Sequence, residues 1–268
     1  MNINKKLVHI GKITFYASVF YLLFTVFSEM VFGTNGIVIN LRYIGIWLLF
    51  NQPFPGIAGQ YWFLFALLYA YIFYYILERL KLRKYAYILA AFLFLAYIVL
   101  AQGAHLAGYG IPNLIYRNWL IEAFPYFMLG HWIHENQERI NIPNKTLIVI
   151  IIITTLLCWV ERWLMGRDFG VNIVTIPQVF ALFVYGVKNP TRHEGIVQRL
   201  GRDCSMMVYI LHPAVLHTFE GIYDSIGITE NITALYLMPI FVLGFSILFS
   251  LLFNALKAKV KIKDFKNA

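Results

Sequence analysis

Residues 200–217 read LGRDCSMMVYILHPAVLH, and the interpretation of the whole chain starts from them. A Gly-Arg-Asp cluster is followed by an apolar run from Met206 to Leu211, and His212-Pro213 lies about halfway along a segment long enough to cross a bilayer. A histidine inside a membrane span is a functional-site hypothesis by default. The proline after it removes one backbone hydrogen bond and kinks the helix. Two interpretations stay open here: His212 lines a buried polar site, or it bonds a neighbouring helix for packing alone.

The composition places the rest of the chain in a membrane as well. Of the 268 residues, 60% are hydrophobic and 13% are charged, and the mean hydropathy is +0.67. These values lie outside the range of soluble domains. The net charge of +9 does not indicate nucleic acid, because basic cytoplasmic loops explain it. Cys158 and Cys204 both adjoin apolar runs, which predicts free thiols.

Eight stretches are long and apolar enough for a spanning helix, which needs roughly 20 mostly apolar residues. A shorter run, Leu41–Phe50, predicts an interfacial or re-entrant helix that leads into the proline- and glycine-rich loop Asn51–Gly59. The predicted fold class is all-α, a polytopic membrane helix bundle of about eight transmembrane helices plus this short helix, in one domain over residues 1–268. The eight stretches are approximately Lys12–Phe32, Gln60–Leu77, Tyr85–Gln102, Asn118–His134, Thr146–Met165, Val171–Val187, Cys204–Glu220 and Ile232–Leu256.

The basic residues predict that both termini are cytoplasmic. Eighteen of the 22 lysines and arginines fall on one side of the predicted topology, including those of the stub 1–11 and the tail 257–268. Cytoplasmic loops carry such an excess, so an even number of spans is expected. The tail either binds anionic lipid or acts only as a topology determinant. The opposite side holds Arg42, Arg117, Arg162 and Arg167.

Polar residues near the outer ends of two spans are candidates for a site. Gln60 and Trp62 open the second span, where an aromatic belt at the interface also explains the tryptophan. Arg117 and Glu122 open the fourth span. An arginine there can snorkel to the interface, but a carboxylate about one turn into a span is unfavourable unless it is paired or hydrated. Glu122 is therefore a candidate for a polar site that opens to the outside.

Metal and nucleotide motifs are weakly represented. His131 and His134 are spaced by three near the cytoplasmic end of the fourth span and are interpreted as interfacial. The sequence contains no His-x-x-x-His or Cys-x-x-Cys pair, no P-loop, no dinucleotide fingerprint and no Gly-x-Ser-x-Gly elbow. No bound metal or cofactor is expected.

Three segments together resemble the acyltransferase 3 family of integral membrane acyltransferases. They are QYWFLFALLYAYI at 60–72, RNWLIEAFPYFMLGHWI at 117–133 and LGRDCSMMVYILHPAV at 200–215. The family has a Trp-Phe-Leu opening to one helix, an Arg-initiated helix with a Pro-Phe-Phe-x-x-Gly-like centre, and a Gly-Arg cluster before a Ser and a Tyr-x-x-His-Pro sequence. The last pattern is matched by Gly201, Arg202, Ser205, Tyr209, His212 and Pro213.

The resemblance implies transfer of an acyl group, expected to be acetyl, from acyl-CoA to a hydroxyl of a cell-surface polysaccharide or other glycan at the bacterial inner membrane. Such chemistry needs a general base for the hydroxyl and hydrogen-bond donors for the tetrahedral oxyanion. The residues it implicates are His212 and Glu122 for catalysis, Gln60, Trp62, Arg117 and Tyr209 for the acceptor, and Lys5 and Lys6 for the phosphates of the donor.

The resemblance also includes a departure from the family pattern. Family members usually have about ten spans, and the first carries an arginine and a histidine central to acyl transfer. The sequence begins at what resembles the cytoplasmic loop before the third span, so a missing N-terminal segment or an oligomer is an expected partner. Two other hypotheses stay open: a transporter or flippase for a glycan precursor that uses the broken helices as a gate, and an inactive relic.

Overall fold

A computed structural model describes residues 3–33, 41–51, 62–166, 169–190 and 195–266. Within these ranges the chain is helical and contains no strand, so the all-α prediction is confirmed. The described residues also include two π-helical turns, Val99–Gly103 and Trp119–Ala123. The helices are α1 (Ile3–Phe32), α2 (Leu41–Phe50), α3 (Trp62–Arg79), α4 (Arg83–Ile98), α5 (Ala104–Leu106), α6 (Asn113–Tyr116), α7 (Phe124–Asn136), α8 (Asn144–Met165), α9 (Thr175–Lys188), α10 (Ile196–Ser225) and α11 (Ile232–Lys266).

Five helical segments of the described chain are long and apolar enough to cross a membrane. The 22-residue α8 shows why: at 1.5 Å per residue it is about 33 Å long, close to the roughly 30 Å of a bilayer core. Its exposed side chains include Leu156, Trp159 and Trp163, a surface suited to lipid. The chain is therefore an integral membrane protein. The five segments are Asn4–Phe32, Trp62–Arg79, Arg83–Leu106, Asn144–Met165 and Ile232–Lys257.

Each of the eight predicted stretches is helical over most of its length, and the short helix Leu41–Phe50 is present as α2. The fourth, sixth and seventh predicted stretches are not among the five long apolar segments, each for a different reason. The fourth is interrupted by the π turn at Trp119–Ala123. The sixth is shortened to the 14 residues of α9, and the seventh lies within the 30-residue α10, which begins with several polar and charged residues.

The first compact unit contains the start of α1 and all of α2 to α9. Its central core lies between α3, α4 and α7, where small alanines let the helices approach closely and large aromatics fill the remaining space. A second core joins α7, α8 and α9 around Ile133, Leu147 and Ala181. The buried residues of the central core are Ala70, Tyr74, Ala86, Ala90, Phe124 and Met128.

The second compact unit contains the rest of α1 with α10 and α11. Phe219 of α10 packs against Phe241 and Phe245 of α11, with ring centres 6.1 and 5.4 Å apart. At the start of α10, the Arg202 guanidinium donates a hydrogen bond to the Asp203 carboxylate at 2.8 Å. That hydrogen bond holds the pKa of Asp203 below its usual value.

Candidate functional site

The first unit contains a cavity of about 700 Å³ bounded mainly by α3, the second π turn and α7. Its lining follows α3 from Trp62 to Tyr71 and follows the π turn and α7 from Glu122 to His134. At 1.5 Å per residue these ranges cover about 14 and 18 Å along the helices. The cavity thus follows the helix axes over about half the thickness of a bilayer core. Lys6 of α1 and Phe183 of α9 complete the wall.

Trp62, Arg117 and Glu122 form a polar cluster at one end of this cavity. The Nε of Arg117 lies 4.0 Å from Oε2 of Glu122, and the guanidinium carbon lies 5.8 Å from the centre of the Trp62 ring, within cation–π range. The Glu122 side chain is only 8% exposed, yet its Oε2 accepts no hydrogen bond from the described residues. The Tyr126 hydroxyl, one turn further along, is also buried without such a partner. Buried polar atoms of this kind are satisfied by water or a ligand.

The π turn Trp119–Ala123 sets the direction of Glu122. Asn118 caps it, since its side-chain oxygen accepts hydrogen bonds from two backbone N–H groups of the turn at 3.0 and 3.1 Å. Pro125 has no N–H to offer the carbonyl of Ile121, so a regular α-helical ladder cannot continue through this point. The wider turn accommodates the break, and such π turns occur frequently at functional sites.

Asn51 joins the start of α3 to the start of the π turn. It is fully buried and has φ of 50°, a left-handed conformation that asparagine adopts more readily than most residues. Its Nδ2 donates to the carbonyl of Trp62 at 3.0 Å, and its Oδ1 accepts from the N–H of Trp119 at 2.7 Å. The Trp119 indole donates to the carbonyl of Leu49 at 3.0 Å. These bonds fix the backbones that carry Trp62 and Glu122.

The loop between α8 and α9 supports Arg117. Gly170 has φ of +82°, and a Cβ atom built on it would lie 3.3 Å from Cζ of Arg117. The buried Tyr97 hydroxyl lies 3.0 Å from the carbonyl oxygen of Phe169 and 3.1 Å from that of Val171, and donates to both. The glycine is therefore held against the guanidinium.

His131, His134 and Lys6 line the other end of the cavity. The His131 side chain is 11% exposed, and its two ring nitrogens each lie 2.8 Å from a tyrosine hydroxyl, those of Tyr74 and Tyr87. Tyrosines from two other helices enclose the ring of His131, whereas His134 is exposed, and the interfacial interpretation of both stays a prediction.

The second unit carries His212 and Tyr209 on α10, with ring centres 6.0 Å apart. The Nδ1 of the half-buried His212 lies 3.1 Å from the carbonyl oxygen of Val208. A carbonyl only accepts, so Nδ1 donates to it, and Nε2 is the nitrogen that can accept in the neutral form of the ring. Pro213 offers no N–H to the carbonyl of Tyr209, so one hydrogen bond of the α-helix is missing beside the histidine.

The second unit also has its own cavity, of about 600 Å³, at the C-terminal ends of α1 and α10. His217 and Glu220 are joined there by a hydrogen bond of 2.8 Å, and Asp224 follows one turn later. Among the described residues, no group of three His, Cys, Asp or Glu side chains is arranged to hold a metal ion.

The model of the acyltransferase 3 family, described as an acyltransferase domain, matches residues 3–255. The match extends over nearly the whole chain and over both units. The chain belongs to this family. The resemblance predicted from the three segments is therefore confirmed. No curated protein and no solved structure gives a significant match.

In this acyltransferase-family protein, one cavity brings together three of the predicted site residues, Trp62, Glu122 and Lys6, with Arg117 beside them. Lys5 is exposed and does not line the cavity. Tyr209 and His212 are neighbours in the second unit, and Gln60 lies outside the described residues. The roles of all these residues stay predictions.

Sequence reasoning did not select Asn51, Gly170 or His131. Asn51 gave a weak signal as a polar residue directly after an apolar helix. The importance of the other two depends on partners distant in sequence, Arg117 for Gly170 and the tyrosines for His131.

Proposed function

We propose that this membrane protein transfers an acyl group, expected to be acetyl, from acyl-CoA to a hydroxyl of a cell-surface glycan at the bacterial inner membrane. Membership of an acyltransferase family supports the reaction class. The observation that carries the proposal is the cavity along α3 and α7, with a carboxylate at one end and imidazole and ammonium groups at the other. The two ends suit two different substrates.

The end with Trp62, Arg117 and Glu122 suits a sugar hydroxyl. The free acceptor oxygen of Glu122 is available to take the proton of a hydroxyl placed beside it. Arg117 supplies N–H donors that stabilise the negative charge of the tetrahedral intermediate. Trp62 offers an apolar ring that suits the C–H face of a sugar. In the second unit, taken by itself, His212 is a separate candidate for a general base through Nε2.

The end with Lys6 and His134 suits the phosphates of the donor. Lys6 is cationic, and His134 adds a ring that donates a hydrogen bond in any protonation state. With the termini predicted to be cytoplasmic, this end faces the compartment that contains acyl-CoA.

The step balances without a further reactant. The hydroxyl oxygen attacks the thioester carbonyl carbon, a tetrahedral intermediate forms, and the C–S bond breaks. The products are an ester and a free thiol. The hydroxyl loses one proton and the sulfur gains one, so the number of protons is unchanged.

The test uses membranes of cells that express the chain, so that the partner expected from the sequence can be present, with radiolabelled acetyl-CoA and glycan extracted from cell envelopes. We expect thiol release and labelled glycan in equal amounts. Glu122→Gln should lower both rates by about 10² to 10⁴, the usual contribution of a general base. Glu138→Gln makes the same change at an exposed turn outside the cavity and should leave both rates unchanged. No labelled glycan with the unaltered chain would overturn the proposal, and glycan translocation without thiol release would favour the transporter.

A further inference from the structure

The cavity of the second unit is a polar region that the proposed acyl transfer does not use. Its volume of about 600 Å³ is within the range of small-molecule sites, and it lies between the C-terminal ends of α1 and α10 and the start of α11. Asp224 in its wall follows His212 by about 18 Å along α10. Since His212 is predicted near mid-membrane, the cavity is expected close to the headgroups of the outer surface.

The wall of this cavity is acidic. Glu220 and Asp224 both line it. The stretches that form it, residues 13–41 and 203–256, contain no lysine or arginine. His217, whose Nδ1 lies 2.8 Å from the Glu220 carboxylate, offsets at most one of the two negative charges. The cavity therefore repels anions such as phosphate and attracts cations.

Three hydroxyl groups in the wall add hydrogen-bond acceptors. Thr25, Ser225 and Thr229 line the cavity, and each donates its one proton to a backbone carbonyl, at 2.8, 2.7 and 3.5 Å. Their oxygen atoms keep lone pairs for a ligand but have no proton left to donate. Together with the carboxylates, they favour a ligand that is rich in hydrogen-bond donors.

Tyr223 supplies a polar group that the fold does not use. It is only 8% exposed and lines the cavity, and its ring packs against that of Phe219 with centres 6.2 Å apart. Its backbone carbonyl accepts from Thr229, but its hydroxyl has no hydrogen-bond partner among the described residues. Buried polar atoms are normally satisfied, so a ligand or water in the cavity is expected to supply the missing partner.

Aromatic rings form the apolar part of the wall. Phe24 and Phe32 of α1 line the cavity together with Met238 of α11. The face of an aromatic ring attracts a cation, and the attraction is stronger where water is excluded. The same rings suit the carbon skeleton of a ligand whose charged group lies at the carboxylates.

We propose that this cavity binds a primary ammonium group, carried by an amino sugar or by a lipid with an ethanolamine headgroup. A primary ammonium has a positive charge and three N–H donors, so it matches the carboxylates, the hydroxyl oxygens and the aromatic rings together. A neutral sugar lacks the charge, and a quaternary ammonium lacks the donors. No three His, Cys, Asp or Glu side chains of the described chain are arranged to hold a metal ion. The proposal concerns binding and does not depend on acyl transfer.

The first test compares glucosamine with glucose, which has a hydroxyl in place of the ammonium group. Binding to the purified chain in phosphatidylglycerol nanodiscs is measured by saturation-transfer-difference NMR, with empty nanodiscs as the blank. We expect glucosamine to bind at least about tenfold more tightly than glucose. Asp224→Asn should weaken glucosamine binding by about ten- to a hundredfold, the usual loss for a hydrogen bond to a charged group, and leave glucose binding nearly unchanged. Equal affinities for the two sugars would overturn the proposal.

Asp203→Asn is the matched control. It makes the same change on the same helix, at an exposed carboxylate that pairs with Arg202 and does not line the cavity. Glucosamine affinity should stay unchanged in this variant. Equal losses in Asp203→Asn and Asp224→Asn would overturn recognition by the cavity.

Tyr223→Phe separates binding from folding. It removes only a hydroxyl that has no partner in the described chain, so the thermal unfolding midpoint should not fall. Glucosamine affinity should fall by about two- to tenfold, the usual contribution of one hydrogen bond. An unchanged affinity would contradict the place of the ligand beside Tyr223.

A last comparison distinguishes the two sources of the ammonium group. Phosphatidylethanolamine is added to the nanodiscs, and glucosamine affinity is measured again. A lower apparent affinity assigns the cavity to the ethanolamine headgroup, and an unchanged affinity assigns it to an amino sugar. Phosphatidylcholine has no N–H donor and should not compete. Equal competition by the two lipids would overturn the preference for a primary ammonium.

Discussion

Arg117 connects the candidate site to two distant parts of the first unit. Its guanidinium lies over the Trp62 ring and near Glu122, and it packs against the backbone of Gly170. An arginine at the outer end of a span can simply snorkel, but here the loop held by Tyr97 leaves it little freedom. Its position should therefore matter for the reaction rate.

Gly170→Ala tests this dependence. The new methyl would lie 3.3 Å from Cζ of Arg117 and displace the guanidinium, so we expect acyl transfer to fall by about ten- to a hundredfold. Gly166→Ala is the matched control, because Gly166 also has a left-handed φ of +59° but has nothing within 4 Å of the added carbon. Both variants should lose similar thermal stability, and only Gly170→Ala should lose activity. Equal activity in the two would contradict a positioning role for Arg117.

Single residues show what the sequence could and could not predict. Glu122 and Arg117 were predictable because a carboxylate within a span needs a cation or water. His131 was not, because its surroundings depend on Tyr74 and Tyr87, which lie 57 and 44 residues away in sequence. The one local feature that pointed to these surroundings was the frequency of Tyr, His and Glu near the ends of three apolar helices.

At the scale of helices, apolar length predicted where the elements lie, but a proline did not by itself end a helix. Both α10 and α11 continue through an internal proline, Pro213 and Pro239. The segment Leu41–Phe50 is a helix with the predicted bounds, since its apolar run and its flanking loop are both local features. Pro125 lies at the start of α7, directly after the π turn Trp119–Ala123, and this turn could not be predicted from the sequence. Whether a helix kinks, ends or widens at a proline depends on capping groups such as Asn118.

The packing of α1 against α10 gives a second prediction. A Cβ atom on Gly221 would lie 2.6 Å from the Phe32 ring, which is too close without a shift of one helix. We expect Gly221→Ala to destabilise the second unit by about 1 to 3 kcal/mol, the usual effect of overpacking. Gly201→Ala on the same helix has nothing within 4 Å and should be neutral or stabilising by up to about 1 kcal/mol. Thermal unfolding in detergent compares them, and equal midpoints would contradict the close contact.

At the scale of the whole molecule, the proposed reaction requires the acyl donor to enter the cavity from the side of the membrane on which the basic loops are predicted to lie. Lys6 and His134 line the end of the cavity that we propose for the donor, and Trp62, Arg117 and Glu122 lie at the other end. Composition predicted a membrane protein because it is summed over many residues, and the long apolar helices agree with it. The orientation expected from the charge distribution stays a prediction. Which side chains meet at each end of the cavity depends on contacts between distant parts of the chain, so composition could not predict it.

Sealed membrane vesicles from cells that express the chain test this central claim most directly. Radiolabelled acetyl-CoA is supplied outside inverted vesicles, which expose the cytoplasmic face, or outside right-side-out vesicles, and label in the glycan is measured. The account predicts labelled glycan in the inverted vesicles, label in right-side-out vesicles only after permeabilisation, and little label in either with Glu122→Gln. Equal labelling of both intact preparations, or labelling no greater than in vesicles that lack the chain, would contradict it.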